Sequence, residues 1–144
     1  MLVHKPEFSR SLPTDRQGYE KVYSETISMA EEIRRNFDLE VGVALGPHPV
    51  TWETQIANLG LKNSTELHLE AVSLALEHID SGTANCLGEV GRPHYPVAEE
   101  IWEEANEMLL EVLSMASSAK TSVQLHVEDN DDVTCHELSQ LCRS

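Results

Sequence analysis

CLGEVGRPHYP, from Cys86 to Pro96, sets a carboxylate, Glu89, inside a small and apolar run and follows it at once with Gly91, Arg92, Pro93 and His94. The stretch TANCLGEV, Thr83 to Val90, reads as a short inner strand, and a strand buried on both faces normally admits no charge. Two further runs have the same character. LEVGVALG, Leu39 to Gly46, is small and β-branched and is stopped by Pro47 and Pro49, and TSVQLHV, Thr121 to Val127, ends on a histidine. The stub LVH, Leu2 to His4, is a candidate first strand.

Between these runs the period changes from strand to helix. Thr14 and Gln17 have capping-box spacing, and Tyr19, Val22, Tyr23, Thr26, Ile27, Ala30, Ile33 and Phe37 recur at three and four, which predicts a helix over Thr14 to Phe37. GPHPVTWE reads as a loop. Asn63 and Glu66 stand as caps of a second helix that runs to about Ile79, with Leu67, Ala71, Leu74, Ala75 and His78 on one face. Pro96 suits the first turn of a third helix, whose stripe of Val97, Ile101, Ala105, Met108, Val112 and Met115 opposes Glu99, Glu103, Glu104 and Glu107. A further helix starts near Asp132. Strands alternating with helices predict consecutive βαβ units, a parallel sheet and a single α/β domain over residues 1–144.

Composition narrows the function. With 144 residues, 40% hydrophobic and 5% aromatic, the chain is long enough to bury a core. Neither a signal-peptide pattern nor a membrane-spanning run is present in the sequence, so a cytoplasmic protein is expected. Cys86, Cys135 and Cys142 lack CxxC spacing, so reduced thiols are expected, and Cys135-His136 with Cys142 is too loose for a structural zinc site. Twenty-five acidic against ten basic residues give a formal charge of −15, which repels phosphate backbones and disfavours nucleic acid as a partner.

In a parallel α/β fold ligands gather at the carboxyl ends of the strands. His48 falls just after the first full strand, Glu89 at the end of the second and His126 at the end of the third. A single histidine at such a place is more often structural, but three polar groups at equivalent positions suggest a metal, and imidazole and carboxylate suit zinc or manganese. His68 and His78 lie within the second helix and read as packing or solvated residues.

GPHP at Gly46 to Pro49, LGEVGRPHYP at Leu87 to Pro96 and QLHVED at Gln124 to Asp129 resemble, in order and approximate separation, the GxHP, GEIGLDY and HxR segments of the TatD-type metal-dependent hydrolases, which are amidohydrolase-like TIM barrels. The resemblance covers about Leu39 to Val127 and is nearest to an archaeal-style branch. It implies a partial (β/α)8 barrel comprising strands two to five, with Glu89 and His126 as metal ligands and His48 lining the site. The cofactor it implies is a divalent ion: zinc, manganese or nickel. Arg92 is placed either to hold a phosphate or carboxylate of a small-molecule substrate or to pair with a neighbouring glutamate. His94, with Tyr95, stands near the position of the family's aspartate, where this chain has Pro93, and Glu128 replaces the arginine of HxR. These departures and the charge of −15 speak against the DNA substrates of some members.

The family's opening HxH has no counterpart, since His4 begins HKPEFS, and its strand-six histidine and strand-eight aspartate would lie beyond Ser144. A full barrel takes about 250 residues. Two functional expectations follow. One is hydrolysis of a phosphoester or amide-like bond by a metal-activated water. The other is a non-catalytic barrel fragment or subunit that needs a complementary chain, its open edges inviting self-association. A flavodoxin-like domain with a bound flavin or nucleotide is a third reading, although no Gly-rich phosphate loop supports it.

Overall fold

The structure is a computed structural model that describes residues 1–3, 12–127 and 132–143. His4 with its HKPEFS context, and Glu128 and Asp129 after the last strand, lie outside the described residues.

The elements follow in the order β1 (Leu2–Val3), α1 (Arg16–Phe37), β2 (Val43–Leu45), α2 (Pro49–Leu59), α3 (Leu61–Asp80), β3 (Cys86–Gly91), α4 (Glu99–Ser118), β4 (Val123–His126) and α5 (Asp132–Leu141). All strand pairs are parallel, and the sheet order is β1-β2-β3-β4. Each strand lies beside its predecessor, as in the wall of a (β/α)8 barrel. A flavodoxin-like sheet would place its second strand outside its first and reverse direction at a switch point, so the sequential order removes that reading. The chain forms an arc of four barrel strands with helices on the outside.

The helices form where apolar residues recur at three and four. Tyr19, Val22, Tyr23, Thr26 and Ala30 are the buried face of α1, as the sequence pattern requires, and they pack with Val43, Leu45 and the α3 residues Leu67, Ala71 and Leu74. Phe37, assigned to the same stripe, is 67% exposed at the last position of the helix, which Asp38 stops in the left-handed region at φ 50°. The cap of α1 is Asp15, whose Oδ1 accepts from the Gly18 N–H at 2.8 Å; Thr14 is not the cap.

The segment after β2 corrects the sequence reading most. GPHPVTWE is not a loop: Pro49 opens α2, an eleven-residue helix with His48 as its N-cap. Proline at the first helical position loses no hydrogen bond and presets φ, so the residues that look like breakers are a start signal. Fully buried Trp52 anchors this helix, packing with Ala105 and Met108 while its Nε1–H donates to Thr65 Oγ1 on α3 at 3.2 Å. Gly60 at φ 79° separates α2 from α3 and caps α3 in place of Asn63, whose amide donates to the Leu59 carbonyl. Similarly, α4 begins at Glu99 after Ala98, so Pro96 belongs to the loop before it.

Strand β3 is irregular where the charge sits. Gly88 pairs with Gln124 and Val90 with Leu125, so Glu89 is the extra residue of a β-bulge. A bulge leaves one residue out of the ladder and re-aims its side chain, which accounts for a carboxylate within an otherwise buried strand. The Gly88–Glu89 peptide is cis. Strands β3 and β4 approach so closely that a Cβ on Gly91 would lie 2.6 Å from the His126 carbonyl oxygen, and one on Gly88 would lie 2.6 Å from Gln124 Cβ.

Gly91→Ala is therefore expected to cost roughly 1–3 kcal/mol, the usual range for overpacking. The clash is with backbone, which cannot swing aside. A urea midpoint equal to that of the parent protein would show that the two strands are not held at this spacing. Among the described residues no helix is long and apolar enough to cross a membrane.

Candidate metal centre

Three consecutive strands deliver one polar group each to the same end of the sheet. His48 follows the Gly46-Pro47 turn after β2, Glu89 projects from the bulge of β3, and His126 is the last residue of β4. Parallel pairing brings those carboxyl ends side by side. Glu89 Oε2 lies 3.7 Å from His48 Nε2 and 3.7 Å from His126 Nδ1. The two imidazoles are 4.2 Å apart between ring centroids and tilted by 60°. His48 is only 2% exposed, whereas Glu89 and His126 are half-buried.

The donor set fits a divalent cation. One ligand atom from each residue can be chosen so that all three lie within 4.8 Å of one another, and among the described residues no other histidine, cysteine, aspartate or glutamate group does this. A tetrahedral ion with bonds of about 2.1 Å separates its ligand atoms by roughly 3.4 Å, so the 3.7 Å spacings need only a small contraction. Mixed imidazole and carboxylate donors suit zinc, manganese or nickel.

The remaining candidates are not part of this group. Arg92 is 2% exposed and points at the helical layer: its Nη2–H donates to Glu137 Oε2 on α5 at 2.9 Å, its Nη1–H to the Pro93 carbonyl at 3.2 Å, and its guanidinium stacks 4.0 Å over the Trp102 ring on α4. Of the two sequence readings for Arg92, the geometry favours the pairing with a neighbouring glutamate. Continuing the alternation of β3 one residue past its end explains why, since Arg92 then falls on the same side as core residue Val90. His94 is half-buried in the loop after β3 and does not join the cluster. Cys135 and Cys142 are exposed on and after α5, and His136 contacts Gln140 rather than either thiol.

One further contact has no conspicuous sequence signal. The Tyr95 hydroxyl donates to Glu53, tying the loop after β3 to α2. His68, on the buried face of α3, is fully buried, and neither of its ring nitrogens has a hydrogen-bond partner among the described residues. Burial first, and the nearby His48 second, push its pKa down to about 3. It is a neutral packing residue. His78 is also structural, its Nδ1 meeting Thr83 Oγ1 at 3.0 Å and its ring edge meeting Tyr23.

The model of the family described as TatD related DNase matches residues 13–143. The chain is also similar to the uncharacterized protein MJ1127 of Methanocaldococcus jannaschii, with 26% identity over 114 residues, which cover 78% of this chain and 41% of that protein. It thus spans about two fifths of the length of the curated relative it matches. No solved structure matches the chain at a significant level.

Proposed function

Because the chain belongs to the family of TatD-related DNases, we propose that it is a hydrolase in which Glu89 and His126 hold a divalent metal for cleavage of a phosphoester or amide-like bond. The observation that carries this reading is the convergence of one carboxylate and two imidazoles at the ends of three adjacent strands. When bound, such an ion supplies Lewis-acid polarisation and an acidified water.

The chain's own residues define the rest. Glu89 contributes the negative charge of the centre, and the bulge aims it out of the sheet. His126 contributes Nδ1 from the end of β4. The Tyr95–Glu53 hydrogen bond joins the loop after β3, the strand that carries Glu89, to α2, the helix that His48 caps. A formal charge of −15 opposes a polyanionic strand, so a small-molecule substrate is preferred over DNA.

A second reading is a subunit that needs a complementary chain. It is favoured by the sheet ending in β1 on one side and β4 on the other, each with an unpaired edge among the described residues. Plasma mass spectrometry of protein purified without chelator, run beside light scattering and a phosphodiester assay with added manganese, tests both. Near-stoichiometric metal with turnover by a monomer is the expected result. Metal in an oligomer would favour the second reading. Protein that retains no zinc, manganese or nickel, and binds none of them in calorimetry, would end the hydrolase reading for this chain.

A further inference from the structure

We infer that His48 is a positioning residue for Glu89 rather than a third metal ligand, because its ring is held as the Nε2–H tautomer with that N–H facing the Glu89 carboxylate. The consequence for metal affinity rests on the metal-centre reading above; the tautomer rests on the geometry of α2.

The main-chain N–H of Val50 donates to His48 Nδ1 at 3.2 Å, and His48 is the N-cap of α2 at φ −70° and ψ 138°. A peptide N–H can only donate, so Nδ1 presents its lone pair and the proton of the neutral ring resides on Nε2. That nitrogen is 3.7 Å from Glu89 Oε2. A protonated ring nitrogen has no lone pair for a metal, but it can hold a carboxylate in place, directly or through one water. To ligate through Nε2 the ring would have to move its proton to Nδ1, which would set two N–H groups against each other at the start of α2. Burial at 2% exposure and the His126 ring at 4.2 Å limit the rotation that could avoid this. Pro49 keeps the Val50 N–H in place by fixing the first helical residue. The ligand role therefore falls to Glu89 and to His126 through Nδ1, with His48 orienting the carboxylate from behind.

Long-range proton–nitrogen NMR of the ring nitrogens tests this directly, with His48→Asn used both to assign the signals and as a functional variant. In the metal-free protein and after one equivalent of zinc, His48 is expected to show a protonated Nε2 and an unprotonated Nδ1. Asparagine is among the best N-caps, so the variant keeps the start of α2 but loses the N–H directed at Glu89. Its thermal midpoint should stay near that of the parent, and its zinc affinity should fall about 10–100-fold, as when an outer-shell partner is removed. A proton on Nδ1 in either state, zinc coordination at Nε2, or unchanged zinc affinity in the variant would overturn the inference. If the parent protein takes up no zinc, the metal reading fails, and the tautomer in the metal-free protein decides the inference by itself.

Discussion

Glu89→Ala is expected to abolish zinc-dependent stabilisation of this protein. An ion that binds only the folded state stabilises it by about 2.7 kcal/mol when present at 100 times its dissociation constant. The two nearby imidazole nitrogens face Glu89 Oε2 at 3.7 Å each, so removing that oxygen takes away both the charge and the centre of the group. Affinity should fall by more than the ~10–100-fold typical of outer-shell changes, and the zinc-induced rise in thermal midpoint should vanish. The metal-free variant should be no less stable than its parent, since the lost group is a half-buried carboxylate in a bulge rather than a core side chain. The chain carries 25 acidic residues, which offer weak competing sites. A zinc shift as large in Glu89→Ala as in the parent would mean that those sites, not the strand-end cluster, hold the metal. Glu89→Gln separates size from charge and should behave like the alanine variant.

Lowering the pH should destabilise the fold through His68. Its pKa is lowered from 6.5 to about 3 in the folded protein, mainly by burial. Below pH 6.5 the unfolded chain takes up a proton that the folded chain refuses, so the unfolded state binds more protons and stability falls with pH until about pH 3. At 1.36 kcal/mol per unit of pKa difference the full effect is about 5 kcal/mol, a large part of a typical domain's stability. His68→Leu fills a similar volume without a titrating group. Urea unfolding between pH 7 and pH 4 should show the variant's stability declining less steeply, by up to about 1.4 kcal/mol per pH unit, the linkage slope for one proton. Equal slopes would mean that the His68 ring is not sealed from water. At pH 7 the leucine variant should be at least as stable, because two buried ring nitrogens without partners among the described residues are removed.

What the sequence by itself determined was the periodicity and the order of the elements. Short apolar runs alternating with helical stripes imply a parallel α/β sheet, because only burial on both faces makes such strands stable. The residues at their carboxyl ends, His48, Glu89 and His126, can be read off directly, since chain direction alone puts them on one side of the sheet. Boundaries were less legible: α2 was hidden because Pro49 and Gly60 mark helix starts and ends as readily as loops, and Phe37 kept the helical period although its side chain is exposed.

Tertiary structure alone decided how each polar side chain is used. Arg92 and Glu89 are three residues apart, one within β3 and the other just past its end, yet the bulge turns Glu89 to the strand ends while Arg92 lies between Glu137 and Trp102. A one-residue bulge depends on how β3 meets β4, and no local pattern encodes that meeting. His68 and His48 are the same residue type in neighbouring elements. One is sealed in the core as a neutral side chain, and the other caps a helix at the rim of the cluster, because burial and hydrogen-bond partners exist only once the helices are laid on the sheet.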